Sequence, residues 1–315
     1  MAKGCFMVLK KNPTIVVVGS TMIDMITYSQ KIPNSGETVI GDSFSLGFGG
    51  KGANQAVMAA RLGAKVHMIN TVGNDVFGES TIKNFKEQGV DTTYISQVSM
   101  ASGVAPIWVE PDGTNRIICV PGANNEMRAD QVEEALKSIG DFSILIGQLE
   151  IPQEVTAAAF RFVRKLGIPT VLNPAPFAPL SKELIEASDW IIPNESEFAG
   201  LNSQGAFPNS DEEILRVAKE VGSKFIVTLG EKGAAFENSD GSISRVMAPI
   251  VKAIDTTGAG DAFVGAFAFA LASGFDIKNS VSLGCICASD SVTRRGTQAS
   301  YPSKFEAEKL LASLN

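Results

Sequence analysis

The chain has 315 residues, of which 44% are hydrophobic and 19% are charged, and its formal net charge is −7 at pH 7. This apolar content is enough for a large buried core and argues against extended disorder, and the length suits one α/β unit with a small appendage. The negative charge argues against nucleic-acid binding, and no apolar run reaches the roughly 18 residues that cross a bilayer.

Apolar strands and helices alternate along most of the chain. Residues 14–19 form a continuous β-branched run closed by a glycine, which is typical of a buried parallel strand. We predict strands at 14–19, 65–70, 143–149, 169–173, 190–193 and 225–229. Helices are predicted at 53–62, 78–88, 155–166, 182–188, 213–221, 262–272 and 282–290. This alternation predicts a three-layer, doubly wound α/β fold with a mostly parallel sheet and helices on both faces.

Two stretches interrupt this alternation, at 26–46 and 103–120. In the second, a turn at 111–113 that contains proline, aspartate and glycine separates two strand-like runs, which indicates a hairpin. We expect segments of about 25–46 and 103–121 to form a small β-sheet outside the main one. Residues 13–315 would then be a single domain.

A glycine cluster at 47–52 fits the pattern G-x-G-x-x-G. A dinucleotide-binding turn needs a core strand before it and an acid about 20 residues later, and the region near residue 67 supplies no acid. Lys51 is followed by Gly52 rather than by serine or threonine, so the cluster is not a P-loop. Two interpretations stay open. The cluster is either a tight turn that enters a helix, or a site where Lys51 and Asn54 hold sugar hydroxyls.

The segment 255–261 (DTTGAGD) places two carboxylates around three small residues and runs into an apolar helix pattern. Glycines allow a ligand to approach the backbone, and a helix N-terminus favours a phosphate. An acid beside such an anion site has a chemical use if it accepts a proton from a hydroxyl that attacks a phosphoryl group.

Together, the motifs at 49–54 and 255–261 resemble the signature pair of the ribokinase-like (PfkB-type) sugar kinases, and the similarity extends over about 15–300. The resemblance implies ATP-dependent phosphorylation of D-ribose at its 5-hydroxyl. It implies that Asp261 is the general base and that the backbone of Gly258, Ala259 and Gly260 is the anion hole. It further implies that the small sheet is a lid over the sugar and the contact of a homodimer.

The resemblance also assigns a sugar site. Its residues would be Met22, Ile23, Asp24, Gly50, Lys51, Gly52, Ala53, Asn54, Glu150 and Asp261. From the residues alone, Asp24 could equally cap the loop after the first strand, and Glu150 could be an ordinary acid at a helix start. Bacterial members of the family usually carry asparagine in the place of Met22, so one polar sugar contact is missing here. A kinase for deoxyribose, fructose, another hexose or a nucleoside therefore stays open, as does a non-catalytic sugar or nucleotide sensor, although the intact Asp261 weighs against the sensor.

The nucleotide side is assigned in the same way. The spacing of Asn194 and Glu197 fits a helix capping box, and the resemblance adds that Asn194 contacts the nucleotide phosphates while Glu197 holds Mg²⁺ through water. The segment 228–233 fits a hairpin turn when considered alone. The resemblance places the nucleotide along Thr228, Leu229, Gly230, Glu231, Lys232, Gly233 and Gly260.

A monovalent-cation site is known only through the resemblance. Its K⁺ ligands, mostly main-chain oxygens, would be Asp255, Thr257, Ser291, Arg294, Gly296 and Ser300. The expected partners are therefore a small sugar, ATP, Mg²⁺ and K⁺, with no nucleic acid and no membrane.

Cysteine and histidine usage adds little chemistry. Four cysteines without a C-x-x-C pair indicate reduced thiols in an intracellular protein, and a single histidine, His67, excludes a His-rich metal site. We expect a cytoplasmic protein by default, or an organellar one, such as a plastid protein, if residues 1–12 are the remnant of a targeting peptide. We expect residues 1–12 to be flexible.

Overall fold

The computed structural model describes residues 12–314, so the predicted flexible segment 1–12 lies almost wholly outside the described residues. Strands are numbered along the chain. The large sheet contains β1 (Thr14–Val18), β4 (Lys65–Gly73), β5 (Val90–Val98), β8 (Ile144–Gly147), β9 (Thr170–Leu172), β10 (Trp190–Ile191), β11 (Lys224–Thr228), β12 (Ala234–Glu237) and β13 (Ile243–Val246). The small sheet contains β2 (Met22–Tyr28), β3 (Ser43–Gly49), β6 (Val104–Val109) and β7 (Asn115–Ile117).

Ten α-helices accompany the two sheets within the described residues. They are α1 (Lys51–Arg61), α2 (Val76–Gln88), α3 (Ala129–Ile139), α4 (Gln153–Arg164), α5 (Lys182–Ala187), α6 (Glu195–Leu201), α7 (Asp211–Val221), α8 (Ala259–Ser273), α9 (Ile277–Ser291) and α10 (Lys304–Ala312). None of these helices combines the length and the apolar character needed to span a membrane.

The strand order of the large sheet is β13-β12-β11-β10-β9-β8-β1-β4-β5. All strands from β11 across to β5 in this order run parallel to one another. At the other edge, β12 and β13 are antiparallel. The predicted mostly parallel sheet is confirmed. Sequence analysis missed β5, because this edge strand is only partly buried along its length and carries no continuous apolar run.

Strand β1 shows how the three layers form. Ile15 and Val17 face one core, which helices α1, α8 and α9 complete, and Val16 and Val18 face a second core under α3, α4, α5 and α7. All four side chains are fully buried. Successive residues of a strand point to opposite faces, so a strand between two helical layers must be apolar at every position. This explains why β1 was recognisable in the sequence.

The small sheet has the strand order β3-β2-β6-β7, and β6 and β7 form the antiparallel hairpin around the turn at 111–113. Strand β2 begins at Met22, which pairs with Gly49 at the end of β3. Met22, Ile23 and Asp24 therefore lie in a strand of the small sheet, so the alternative in which Asp24 caps the loop after β1 does not hold. The pairing of β2 with β3 extends the strand beyond the predicted boundary near residue 25.

One buried amide binds the first and the last connection between the two sheets. The side chain of Asn124 accepts hydrogen bonds from the Thr21 backbone N–H (2.9 Å) and the Asn70 side chain (3.1 Å), and it donates to the carbonyls of Thr21 and Pro121 (2.8 Å each). Thr21 precedes β2 and Pro121 follows β7. The small sheet is thus anchored at its entry and its exit by a single fully buried side chain.

Candidate active site

Polar side chains converge where the parallel strands end and where helices α1 and α8 begin. In open α/β sheets this edge is the usual place for a ligand. A cavity of about 200 Å³ opens there. Its polar lining consists of Lys51, Asn173, Asn194, Glu197, Thr228, Thr256, Gly258, Gly260 and Asp261. The cavity thus joins residues that are up to 210 positions apart, from Lys51 to Asp261.

The glycine cluster before α1 allows two backbones to touch. Gly50 has φ +88°, and a Cβ on it would lie 2.7 Å from the Met22 N atom. A Cβ on Gly49 would lie 2.4 Å from a carboxylate oxygen of Asp24. The strand before this turn, β3, belongs to the small sheet and pairs antiparallel with β2, so the cluster is not the turn of a dinucleotide-binding βαβ unit. It instead positions the start of α1 against β2.

Asp261 lies in the first turn of α8 and is 5% exposed. One carboxylate oxygen accepts a hydrogen bond from the Asn54 side-chain amide (2.9 Å), and the other accepts from that of Gln55 (3.0 Å). Two donors on two different oxygens fix the plane of the carboxylate. Each oxygen retains a free lone pair, so the group can still accept a proton from the cavity.

The N-terminus of α8 is suited to binding an anion. Gly258 is the N-cap residue with φ +77°, and its carbonyl accepts a hydrogen bond from the buried Tyr301 hydroxyl (2.9 Å). Gly260 has open space where a side chain would be and lines the cavity. The first N–H groups of a helix lack partners within it, and the helix dipole adds positive potential there.

Lys51 provides the positive charge that balances the acidic side chains around the cavity. Burial lowers the pKa of its ammonium group, but the carboxylates of Asp261, Glu150 and Glu197 outweigh burial and raise the pKa overall. Lys51 therefore stays positively charged among three acids. A half-buried cation in this position can neutralise an anionic ligand at the N-terminus of α8.

Glu150 follows β8 and binds the start of α1. A single carboxylate oxygen accepts from the Lys51 backbone N–H (2.9 Å) and from the Ser20 hydroxyl. The acid thus caps a distant helix, α1, rather than the helix that follows it in the chain. Its second oxygen has no hydrogen bond to the described residues and is free to accept one.

Asp24 projects from β2 and is 7% exposed. Its pKa is raised to about 6, mainly by burial; a hydrogen bond from Thr297 opposes this rise, and the nearby acids Glu150 and Asp261 add to it. The Thr297 hydroxyl lies 3.3 Å from the Asp24 carboxylate and 2.8 Å from the Phe48 carbonyl. Thr297 thus connects the loop before α10 with two strands of the small sheet.

Asn194 and Glu197 form the capping box that their spacing predicts. The Asn194 side chain accepts from the Glu197 N–H (2.8 Å), and the Glu197 carboxylate accepts from the Asn194 N–H (2.9 Å). Burial raises the pKa of Glu197. Between residues 12 and 314 no group of three or more metal-ligating side chains occurs, so a cation here would need ligands from its substrate as well.

The segment 228–233 connects β11 to the antiparallel β12, as a hairpin turn would. Thr228 pairs with Asn194 through a parallel bridge, and both residues line the cavity. Glu231 and Lys232 point outward and are exposed. The turn therefore extends the cavity toward the surface beside α6.

Asp255 holds together the two loops that the family resemblance assigns to a cation, namely the loop before α8 and the loop after α9. Its carboxylate accepts from the backbone N–H groups of Thr257 and Gly296 (2.9 Å each). The Ser300 carbonyl already accepts from the Arg294 guanidinium (2.8 Å), which leaves it one lone pair. The backbone of both loops is irregular, and such backbone supplies carbonyl oxygens, the ligands that suit K⁺. The residues fit a potassium ion bound by main-chain oxygens.

Sequence reasoning missed a set of buried polar residues around Asp261. They are Gln55, Gln148, Asn173 and Gln298. One signal was present: Gln55 interrupts the alanine-rich pattern of α1, and Gln148 and Asn173 follow strands at the ligand-binding edge. Their partners depend on tertiary contacts and could not be read from the pattern.

Residues 12–304 match the family described as pfkB family carbohydrate kinase. The chain is 39% identical to a deoxyribokinase of Salmonella typhi over 307 residues, which cover 96% of this chain and 99% of the relative. It is also 39% identical to a ribokinase of Lactococcus lactis over 302 residues, covering 95% and 97%. Its fold is similar to that of Arabidopsis thaliana ribokinase complexed with ribose and ATP, with a TM-score of 0.85, 29% identity and coverage of 95% and 99%.

The raised pKa of Asp24 predicts a pH-dependent cost to stability. The folded protein binds the proton of the Asp24 carboxyl more tightly than the unfolded chain does, because in the unfolded chain this carboxyl has its ordinary pKa of 3.8. Ionisation of Asp24 therefore leaves the free energy of unfolding unchanged below about pH 4. Above about pH 6 it lowers that free energy by its full amount. We expect Asp24→Asn to exceed the parent in free energy of unfolding by about 2–3 kcal/mol at pH 7.5. The difference should vanish near pH 4.

Urea denaturation at several pH values measures this difference. Asp141→Asn is the control, because it makes the same chemical change at an exposed carboxylate. A constant difference between Asp24→Asn and the parent across pH 4–8 would contradict the assignment.

Proposed function

The chain belongs to the pfkB family of carbohydrate kinases and is a sugar kinase, and from this premise we propose that it transfers the γ-phosphoryl group of ATP to the 5-hydroxyl of D-ribose. The observation that most directly supports this proposal is that two amide donors fix the Asp261 carboxylate beside the N-terminus of α8. Full-length similarity to ribokinases supports the acceptor. A related structure named as a complex with ribose and ATP supports both substrates.

Asp261 is the general base in this proposal. The 5-hydroxyl oxygen forms a bond to the γ-phosphorus while the bond between that phosphorus and the leaving oxygen of ADP breaks, and the hydroxyl proton passes to Asp261. The backbone N–H groups of Gly258, Ala259 and Gly260 stabilise the negative charge on the transferring group. Donors that are already in place need no reorganisation during the reaction, which is why such sites are effective.

The sugar is held between the small sheet and the start of α1. The Asp24 carboxylate can accept from two hydroxyls at once, while Lys51, Asn54 and Glu150 supply further polar groups. The other proposed sugar contacts are Met22, Ile23, Gly50, Gly52 and Ala53. The small sheet acts as a lid, and exclusion of water by the lid suppresses hydrolysis of ATP.

The nucleotide lies along the connection 228–233, with Asn194 at its phosphates. Mg²⁺, when bound, neutralises charge on the phosphates. Glu197 would hold this ion through water, which agrees with the preference of Mg²⁺ for one or two carboxylates together with substrate phosphates. Lys51 adds a fixed positive charge on the sugar side of the same cavity.

A homodimer through the small sheet completes the proposal. Phe44 and Leu46 on edge strand β3 are 58% and 57% exposed, and Ile117 on the opposite edge strand β7 is 45% exposed. Large exposed apolar side chains on strand edges favour pairing with another chain. Analytical ultracentrifugation at micromolar concentration tests this, and a purely monomeric protein would contradict it.

A second acceptor, 2-deoxy-D-ribose, is favoured by one residue. Met22 is two positions from Asp24 on β2 and 4% exposed, and it supplies a thioether where bacterial relatives usually have asparagine. An apolar side chain loses nothing when the substrate lacks a hydroxyl, whereas a polar one is left without its partner. The similarity to a deoxyribokinase supports this alternative.

The role of Asp261 predicts the effect of removing its charge. Asp261→Asn should lower kcat by about 10²–10⁴-fold, because the amide cannot accept the hydroxyl proton. Binding of a non-hydrolysable ATP analogue, measured by calorimetry, should persist. Asp141→Asn is the matched control and should keep full activity. Near-normal turnover of Asp261→Asn would disprove the assignment of the base.

The identity of the sugar is tested by a panel of pentoses and hexoses compared by kcat/KM. The parent should phosphorylate D-ribose and 2-deoxy-D-ribose better than hexoses. In Met22→Asn, the ratio of ribose to deoxyribose efficiency should rise by about tenfold or more, because the new amide can bond a hydroxyl that deoxyribose lacks. Because Met22 packs on Ala105 and Ile107, the melting temperature is measured alongside. An unchanged ratio in a folded variant would exclude Met22 from the sugar site.

The potassium site is tested by ion replacement. Initial rates should fall several-fold when Na⁺ replaces K⁺, because the smaller ion fits a set of fixed carbonyl oxygens less well. Asp255→Asn should reduce the difference between the two ions, since it weakens the junction of the two loops. Equal rates in the two salts, with K⁺ excluded from all reagents, would contradict the site.

A further inference from the structure

We propose that Gln55 is a positioning residue for the reaction, because it fixes the carboxylate of Asp261 from behind the cavity. The inference rests on the proposed function, in which Asp261 is the base. Gln55 is fully buried and is not among the residues that line the cavity, so it acts on the substrate only through Asp261.

The Gln55 amide group sits between two oxygens. Its Nε2 lies 3.0 Å from Asp261 Oδ1 and 3.2 Å from Asn173 Oδ1. The Asn173 side chain is itself held, since its amide donates to the Ile192 carbonyl (3.0 Å). Both hydrogens of the Gln55 amide are therefore used, and one of them is directed at the carboxylate.

A neighbouring residue fixes which end of the Gln55 side chain faces Asp261. An amide can present either a donor or an acceptor. Gln148 Nε2 donates to Gln55 Oε1 at 2.7 Å, and Gln148 is fully buried as well. If Gln55 were turned around, its oxygen would face the carboxylate and its NH₂ group would face the donor of Gln148. Both contacts would then be lost.

A similar series of hydrogen bonds leads to the other carboxylate oxygen of Asp261. Asn84 donates to Gln298 Oε1 (2.9 Å), Gln298 donates to Asn54 Oδ1 (3.2 Å), and Asn54 donates to Asp261 Oδ2 (2.9 Å). Two consecutive residues of α1 thus clamp the base, and a buried donor orients each of them. Asn54 also lies on the proposed sugar side, whereas Gln55 serves the base alone.

Orientation matters because the proton moves only when the accepting oxygen is aligned with the hydroxyl. A displacement of about 1 Å can cost on the order of 100-fold in rate. Donors to a carboxylate also favour its ionised form, which is the form that accepts the proton. The loss of Gln55 should therefore affect the chemical step rather than the binding of substrate.

The test uses the full-length protein and two variants of nearly the same size. In Gln55→Met the donor is absent. In Gln55→Glu an oxygen faces Asp261, while the bond from Gln148 can remain. We expect kcat to fall by about 10- to 100-fold in Gln55→Met, as for the loss of a hydrogen bond to a charged group, and by at least as much in Gln55→Glu. KM for sugar and for ATP should change little, and the acid limb of the kcat–pH profile should move to higher pH.

Asn202→Leu is the matched control. Asn202 is another buried amide, 4% exposed, and it bonds the Ala206 carbonyl (2.8 Å) near the end of α6. Its loss should lower the melting temperature and leave kcat and the pH profile unchanged. Gln148→Met should act in the same direction as Gln55→Met, and the double variant should be no worse than Gln55→Met, because Gln148 acts through Gln55.

The outcomes separate this inference from the proposed function. Full kcat in folded Gln55→Met or Gln55→Glu, with Asp261→Asn inactive, would overturn the role of Gln55 only. A loss of kcat with no shift of the pH profile, matched by Asn202→Leu, would reduce Gln55 to a structural residue and also overturn the inference. Activity in Asp261→Asn would overturn the proposed base itself. If Gln55→Met does not fold, Gln55→Glu and Gln148→Met decide the question.

Discussion

The site depends on a balance of charge around Lys51. Three carboxylates raise the pKa of this one ammonium group, and Asp24, a fourth acid, is close enough to Glu150 and Asp261 for their charges to raise its pKa. Buried like charges repel strongly. The structure separates these acids by giving each a different set of donors. Asp261 has two amides, Glu150 has a helix N-terminus and a hydroxyl, and Glu197 has its own capping box.

Asp24 is the least compensated of these acids, and it is the one carried by the small sheet. Its partner, Thr297, follows Gly296, whose N–H is bound by Asp255. The same region supplies Tyr301, whose hydroxyl bonds the Gly258 carbonyl at the proposed anion hole. The loop 296–301 therefore contacts both the small sheet and the start of α8. A ligand that satisfied Asp24 would act on a structure already connected to the site of phosphoryl transfer.

These contacts explain what could be predicted from sequence and what could not. Strands such as β1 are buried on both faces, so their apolar character alone identifies them, and the capping box of Asn194 and Glu197 is a local pattern. Strand β5 was missed because an edge strand needs no apolar run. The sequence left open whether Asp24 caps the loop after β1, because the pairing of β2 with β3 depends on residues far from Asp24 along the chain. The amides around Asp261 were missed because their partners lie up to 244 positions apart along the chain.

The arrangement also separates the choice of sugar from the chemistry. Asp261 and its amide clamp belong to helices α8 and α1, which pack in the main core, whereas Met22 and Asp24 belong to the small sheet, where Met22 packs in a separate apolar cluster. In the proposed site, a change at Met22 would alter the sugar-facing surface and leave the packing around the base unchanged, because Met22 and helices α1 and α8 belong to separate apolar clusters. The chain is equally similar, at 39% identity, to a deoxyribokinase and to a ribokinase. Such similarity is expected when one chemical centre serves acceptors that differ by a single hydroxyl, as the proposed role of Met22 on β2 requires.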